Sequence, residues 1–315
     1  MNISIIIPNY NGEALLKHNI PLIISTIKEY KEGKVEIIIP DDASLDGSVD
    51  FLKIYSQHFK EKNITLVYLV NKENKGFSGN VNMGVTYATG EVLILLNSDV
   101  VPERGFLSPL LKHFSDPKVF AVGCMDKSIE DGKVVLRGRG IGKWERGFLS
   151  HNAGKLDKTN SLWASGGSSA FRKSIWDELG GLNEIYNPFY WEDIDVSYRA
   201  LKSGYKVIFE KKSIVIHEHS KGAIKTHNTI SRINKIAFRN QILFVWLNIT
   251  DPVFLINHFL RLGLLLLRAI FSKDWLTLQC FFQALLLFPV ISIKRDKQKK
   301  KFIISDKKLL NSFNN

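Results

Sequence analysis

The sequence predicts an α/β fold, a mostly parallel sheet flanked by helices. Three observations carry this. Apolar runs of strand length (ISIII, VEIII, ITLVYLV, VLILL) alternate with helical patterns through the first hundred or so residues. Each run stops at a cluster of polar or turn residues. The resulting β-α-β-α-β-α-β order requires crossovers, which give parallel strands with helices on both faces. The polar clusters then fall at the carboxyl ends of the strands, where open α/β sheets bind ligands.

The first strand, residues 3–8, closes on Asn9, Tyr10, Asn11 and Gly12. A helical pattern follows to about Tyr30, with Pro21 expected to interrupt or kink it. The strand at 35–39 closes on Pro40, Asp41, Asp42 and Ala43. Two adjacent aspartates repel each other in a dry site and need hydrogen-bond donors or a ligand. A helix over 48–59 leads to a strand over 64–70 and then to NKENKGFSGNVNMG, which reads as a loop. Its Gly76, Gly79 and Gly84 permit close backbone approach, and Asn74, Asn80 and Asn82 present amides suited to a polar ligand. The spacing is not that of a GxGxxG dinucleotide loop. After a helix through Ala88, residues 92–96 form a strand covered on both faces. It ends at Asn97, Ser98 and Asp99, either a turn before a helix or a carboxylate held rigidly for a metal or substrate.

Residues 102–114 read as a helix and 119–124 as a strand, while 125–160 show poor periodicity. A small-residue strand precedes a helix near Lys173, and Gly166 and Gly167 imply close packing against the backbone. Glu192, Asp193 and Asp195 fall in the first turn of a helix running to about Ser203. They either complement the helix dipole or, crowded beside Phe189, Tyr190 and Trp191, raise a carboxylate pKa towards that of a working base. Strands at 206–209 and 214–216 follow, the second ending in His217, Glu218 and His219, where a strand-end histidine can ligate a metal.

The 315 residues hold one large domain or a domain with an appendage, and the 45% apolar fraction is ordinary for a globular protein. The two cysteines form no CxxC pair, which argues against a disulfide framework or zinc cluster and points to reduced cytosol. The opening MNISIIIPNYNG lacks the basic region and long apolar core of a secretory signal. Of the net charge of +12, residues from 231 onward carry +10, from fourteen Lys and Arg against four Asp, leaving +2 for the first 230.

In order, IIIPNYNG, DDASLDGS, NKGFSGNVNMG, LLNSD, ASGGSSAFRK, YWEDIDVSYRALKSGYKV and VIHEH resemble glycosyltransferase family 2. These are inverting transferases of the GT-A fold, a Rossmann-like nucleotide-diphospho-sugar architecture, here of the rhamnosyltransferase-like bacterial kind. The likeness covers residues 3–222. It implies transfer of a sugar from a nucleotide-diphosphate donor, dTDP-rhamnose or a UDP-sugar, to a hydroxyl of a lipid-linked or nascent surface polysaccharide.

On this resemblance Pro8, Asn9, Tyr10, Asn11, Asp41 and Asp42 hold the base and ribose, with Asp42 foremost for a pyrimidine. Gly76, Asn80, Asn82, Asn97 and Ser98 border the donor. Asp99 coordinates a divalent cation, Mg²⁺ or Mn²⁺, with His217 as a further ligand. Asp193 is the catalytic base, and Trp191, Glu192 and Asp195 support the base or the acceptor. Asn97 stands where the DxD element has its first aspartate, removing an anionic ligand, and Pro40 and Ala43 replace a common valine and glycine. A sugar-1-phosphate nucleotidyltransferase is the first rival, but PNYNG occupies the place of its Gly-rich basic loop. A non-catalytic nucleotide-sugar-binding membrane scaffold is the second, opposed by the intact Asp99 and Asp193.

The expected organisation is a catalytic domain over 1–230 and a basic helical region over 231–315. Residues 253–271 are apolar, with His258, Arg261 and Arg268 on one helical face, the pattern of a helix lying in a membrane interface. Residues 275–293 carry no charge, would extend about 28 Å as a helix, and precede the basic run KRDKQKKK. A cytoplasmic basic run and a cytoplasmic donor site disfavour an odd number of crossings. Two crossings would bury Arg261 and Arg268 at roughly 2.5–3.5 kcal/mol each. The expectation is therefore a cytoplasmic protein, peripheral on the inner face of the cell membrane, with its lysines on anionic lipid. Packing on the catalytic domain or a homodimer interface are the alternatives. Nucleic acid is not an expected partner, since the basic run lacks interleaved aromatics.

Overall fold

A computed structural model describes residues 1–130, 132–217 and 228–313. Glu218 and His219 of the VIHEH motif lie outside the described residues. Strands β1 (Ile3–Ile6), β2 (Val35–Asp41), β3 (Ile64–Val70) and β4 (Val92–Leu96) are joined by helices α1 (Glu13–Ile27), α2 (Ser48–His58) and α3 (Gly76–Tyr87). The four strands are parallel, with Ile5 of β1 opposite both Ile37 and Ile94.

Beyond β4 the sheet becomes mixed. It takes in β5 (Val100–Pro102), β6 (Val119–Glu130), β7 (Lys133–Arg137), β10 (Ser168–Arg172) and β11 (Lys206–His217). The order is β3-β2-β1-β4-β10-β6-β11-β5, with β7 on β6. A separate hairpin joins β8 (Gly140–Glu145) to β9 (Phe148–Ala153). The period-2 alternation of side chains divides the core into two layers. Leu93 and Leu95 of β4 face the layer containing Val81, Val85 and Trp176, while Val92, Ile94 and Leu96 face the layer containing Leu16, Ile20 and Leu110.

Four expectations are corrected. Pro21 lies inside α1 without ending it. The Gly- and Asn-rich stretch is not a loop through residue 84, because α3 begins at Gly76. A side chain at Gly84 would place its Cβ 2.8 Å from Ile6 Cγ2 and 3.0 Å from Pro40 Cγ, so the glycine lets α3 lie close on the sheet. The helix expected over 102–114 gives way at its start to β5, which pairs antiparallel with β11, and the helix shortens to α4 (Leu107–Leu111) and a 3₁₀ turn. The two strands expected over 206–216 are one strand, β11, irregular between Glu210 and Ile214.

The chain continues as α5 (Lys173–Leu179), α6 (Glu192–Lys202), α7 (Ile230–Asn248), α8 (Pro252–Ser272), α9 (Trp275–Leu286), α10 (Phe288–Lys299) and α11 (Asp306–Asn311). Residues 242–247 of α7 are buried on every side and share a core with Ile194, Val196 and Tyr198 of α6. The expected boundary near residue 230 is thus followed at once by a helix that enters the core shared with α6. The stretch at 275–293 is not one straight helix. It bends by 59° between α9 and α10, where Pro289 near the start of α10 has no N–H to continue the ladder.

His258 also departs from expectation. It is fully buried, with Nδ1 2.7 Å from the Gly147 carbonyl, and Trp246 Nε1 donates to its Nε2 at 3.0 Å. Burial pulls its pKa down, and the two contacts fix the neutral tautomer with the proton on Nδ1. Arg261 and Arg268 remain exposed. Among the described residues α8 alone is long and apolar enough to cross a bilayer as a single helix.

Candidate active site

The ends of β1, β2, β4 and β11 and the starts of α3 and α6 surround a cavity of about 570 Å³. The aspartate pair lies at the cavity, with only Asp42 on its surface. Asp41 is fully buried and accepts from Asn9 Nδ2 at 2.7 Å, Ser44 N at 2.9 Å and Ser44 Oγ at 2.7 Å. Asp42 lines the cavity, and its Oδ1 accepts from Asn71 Nδ2 at 2.9 Å and Lys75 N at 2.8 Å. Burial nevertheless raises the Asp42 pKa against those hydrogen bonds. The adjacent carboxylates thus have the donors their proximity requires. Ala43, where the resemblance led to expectation of glycine, still adopts the left-handed region at φ 57°, a conformation costing an L-residue about 1–2 kcal/mol.

At the end of β4, Asn97 N donates to the Gly167 carbonyl at 2.9 Å. A Cβ on Gly167 would stand 2.4 Å from Asn97 Nδ2, so the amide side chain occupies the space a larger residue would need. Asn97 Oδ1 is buried with no hydrogen-bond partner. Asp99 is 8% exposed, and its Oδ2 lies 3.2 Å from His217 Nε2. The antiparallel pairing of β5 with β11 puts His217 opposite Val100 and so brings these two side chains together. His217 Nδ1 lies 3.0 Å from Asp126 Oδ2. Burial lowers the His217 pKa, but the Asp126 and Asp99 hydrogen bonds and charges outweigh it and hold it at about 9.

A further wall of the cavity begins at a strained turn. Tyr190 and Trp191 both have positive φ, 72° and 80°, and α6 starts immediately after them. Asn240 of α7, fully buried, secures the turn: its Nδ2 lies 2.7 Å from the Tyr186 carbonyl, 3.0 Å from that of Phe189 and 2.9 Å from that of Tyr190. Asp193 accepts from Ile194 N at 2.8 Å and Gly166 N at 3.3 Å, yet burial raises its pKa beyond what these bonds lower. Glu192 is 6% exposed, with Oε2 lacking a partner. Burial, then the charge of Asp193, pushes it well above the usual carboxylate range. The pair therefore binds protons more tightly than two exposed carboxylates would.

Of the residues singled out in the sequence, Pro8, Asn9, Tyr10, Asp42, Gly76, Asn80, Asn97, Ser98, Asp99, Glu192, Asp193 and His217 line this cavity. Five do not. Asn11 accepts from Leu45 N at 2.7 Å, Asp41 is enclosed as described, and Asn82 brackets Leu182, donating to its carbonyl and accepting from its N–H. Trp191 packs on His151 and Phe244. Asp195 is wholly buried, accepting from Tyr186 Oη, Arg199 Nε and Asn248 Nδ2. Their environments make them wall-building residues. Phe77, Ser165 and Arg232 line the cavity without having been singled out. Arg232, the only Lys or Arg among the described lining residues, was hidden in the basic tail. It comes from the first turn of α7. Among the described residues no group of three or more His, Cys, Asp or Glu is arranged to hold a metal by itself.

Comparison with known proteins adds an independent line. A family model described as "Glycosyl transferase family 2" matches residues 4–180. The O-antigen chain rhamnosyltransferase RfbN of Salmonella typhimurium is 24% identical over 224 residues, covering 70% of this chain and 67% of that protein. The pre-mycofactocin glycosyltransferase of Mycobacterium tuberculosis is 25% identical over 190 residues, 59% of this chain but 38% of its own length. A crystal structure of GalNAc-T7 with UDP, GalNAc and Mn²⁺ superposes with a TM-score of 0.63 at 17% identity, over 80% of this chain and 48% of that one, a similarity of fold.

Proposed function

The chain belongs to glycosyl transferase family 2, and we propose that it transfers a sugar from a nucleotide-diphosphate donor to a hydroxyl of a lipid-linked or nascent surface polysaccharide. One observation carries this: Asp99 and His217 line the cavity from strand ends, and Glu192 and Asp193 line the same cavity from a helix start. A diphosphate leaving group and an acceptor hydroxyl need opposite kinds of help, and the two pairs differ accordingly.

Asp99 and His217 would hold a divalent cation. The fit rests on their 3.2 Å approach, on Asp126 orienting the histidine, and on the buried, unpartnered Oδ1 of Asn97, which lines the same cavity. Two protein ligands suffice where substrate phosphates complete the shell. A bound cation would neutralise charge on the departing nucleoside diphosphate. Arg232 adds a fixed positive charge to the same cavity. Asn9, Tyr10 and Asp42 border the end suited to base and ribose.

Asp193 takes the acceptor proton as the hydroxyl attacks the anomeric carbon, and the donor bond breaks on the opposite face, inverting configuration. Its raised pKa makes it a stronger base than an exposed aspartate. The O-antigen rhamnosyltransferase relative supports a rhamnose donor, here dTDP-rhamnose, and a surface polysaccharide acceptor, and the UDP in the GalNAc-T7 structure supports a UDP-sugar as the other donor.

Cytoplasmic, peripheral attachment to the inner face of the membrane fits the tail. Ile256, Leu260, Leu264, Leu267 and Phe271 form an exposed apolar face on α8, and the region from 231 carries +10.

The test is thermal stability with UDP, dTDP and GDP, each with and without Mn²⁺. A nucleotide at 100 times its Kd stabilises by about 2.7 kcal/mol. A metal-dependent shift for one nucleotide, absent in Asp99→Asn, supports the assignment. No shift with any nucleotide overturns it.

A further inference from the structure

We propose that the groove bounded by α7 to α10 takes one hydrocarbon chain of an anionic membrane lipid, a reading that rests on the peripheral attachment proposed above. The groove has a volume of about 350 Å³. Trp246 of α7, 6% exposed, lines it with Leu262 and Leu266 of α8, Phe281 of α9 and Phe288 of α10. The Trp246 ring meets those of Phe281 and Phe288 near right angles, at centroid distances of 6.2 and 5.5 Å. Gly263 of α8 also lines the groove, and a Cβ there would meet nothing within 4 Å.

Its chemistry selects the occupant. Every lining side chain is apolar, and the one polar side-chain atom, Trp246 Nε1, is already committed to His258. A sugar, nucleotide or peptide backbone would lose its hydrogen bonds to water and gain none, whereas a hydrocarbon chain loses nothing of the kind. The groove adjoins the exposed apolar face of α8, so a chain need not cross water to enter.

Charge decides between a lipid and a second copy of this chain. Arg295 of α10 donates to the Trp246 carbonyl at 2.9 Å, and Lys294, Lys297 and Lys299 stand on the same helix. Two copies would bring regions of +10 together, while an anionic headgroup meets them with the opposite sign.

The experiment uses the full chain with Trp275→Phe, which removes a tryptophan 73% exposed at the start of α9, the helix that carries Phe281. The probe is a short-chain phosphatidylglycerol with brominated acyl chains, kept below its micellar concentration. The expected result is a saturable loss of emission that disappears when Trp246→Phe is added and when Gly263→Leu or, as a second plug, Leu266→Phe fills the groove. No saturable loss, or a loss that both plugs leave intact, overturns the proposal. Self-association without lipid quenching also overturns it, assigning the groove to a second copy. Flotation with phosphatidylglycerol vesicles is run separately. Vesicle binding without short-chain quenching keeps the attachment and removes the groove, and quenching without vesicle binding keeps the groove and removes the attachment.

Discussion

His217 stands 3.2 Å from Asp99 and, through its other ring nitrogen, 3.0 Å from Asp126. Burial disfavours the imidazolium, but the two carboxylates outweigh burial and hold its pKa at about 9. The folded pKa exceeds the unfolded value near 6.5, so this contribution is fully present below pH 6.5 and is lost as the pH rises through 9. In metal-free protein, His217→Gln should cost up to about 3 kcal/mol at pH 6 and far less above pH 9, read from denaturant midpoints. An equal cost at both pH values would show that the histidine contributes only packing.

Glu192 gives a slope of the same sign in a window that opens at lower pH. Its folded pKa is raised by burial and by Asp193, so the folded state binds the proton more tightly than the unfolded chain. Stability then falls as the pH rises above the ordinary glutamate value. Glu192→Gln should raise Tm at pH 7–8, with the gain vanishing near pH 4.

Asp193→Asn should lower transfer by about 10²- to 10⁴-fold while leaving nucleotide-induced stabilisation intact. Because the wild-type Asp193 pKa is raised, activity should fall on the acid side at a higher pH than an ordinary aspartate would give. Near-normal turnover in Asp193→Asn would remove it as the base.

Asn240 touches no cavity surface, yet its amide holds the carbonyls of Phe189 and Tyr190 just before the catalytic helix. Asn240→Leu leaves these carbonyls without their donor, at about 1–3 kcal/mol. Displacement of Asp193 by so little as an ångström would slow transfer by up to about a hundredfold. Steady-state rates beside nucleotide binding separate this from loss of the donor site, which should be unaffected.

Lys202 and Asp306 are both fully buried and 2.6 Å apart. Asp306 also accepts from Tyr198 Oη, Thr250 N and Asp251 N. Burial lowers the Lys202 pKa despite this partner. Asp306→Ala strands the ammonium and should cost about 3–5 kcal/mol, partly recovered by adding Lys202→Met. Chemical denaturation of the single and double variants checks this.

The first four strands were legible because each is a continuous apolar run whose identity depends on local sequence. β5 was not, since three residues gain their strand character from β11, more than a hundred positions away. The β8–β9 hairpin was missed because its support is equally remote: Trp144 stacks on Phe254 of α8 at 4.7 Å. The same non-locality divided the site residues. Asp99, Asp193 and His217 could be placed from strand and helix ends, but Asp195 looked equivalent to Asp193 until Tyr186 and Asn248 were seen to enclose it. The pairing of Asp195 with Arg199, four residues on, was the signal available in the sequence.

The bond between Lys202 and Asp306 has a consequence in time. The helix bearing Asp193 is translated 104 residues before its counter-ion. At about 5–20 residues per second that is a delay of some 5–20 seconds. During it the apolar α8 and α9 have already emerged, while α6 still lacks the carboxylate that neutralises its lysine. The ion pair that closes the buried end of α6 can therefore form only after the exposed apolar surface of α8 and α9 has been made.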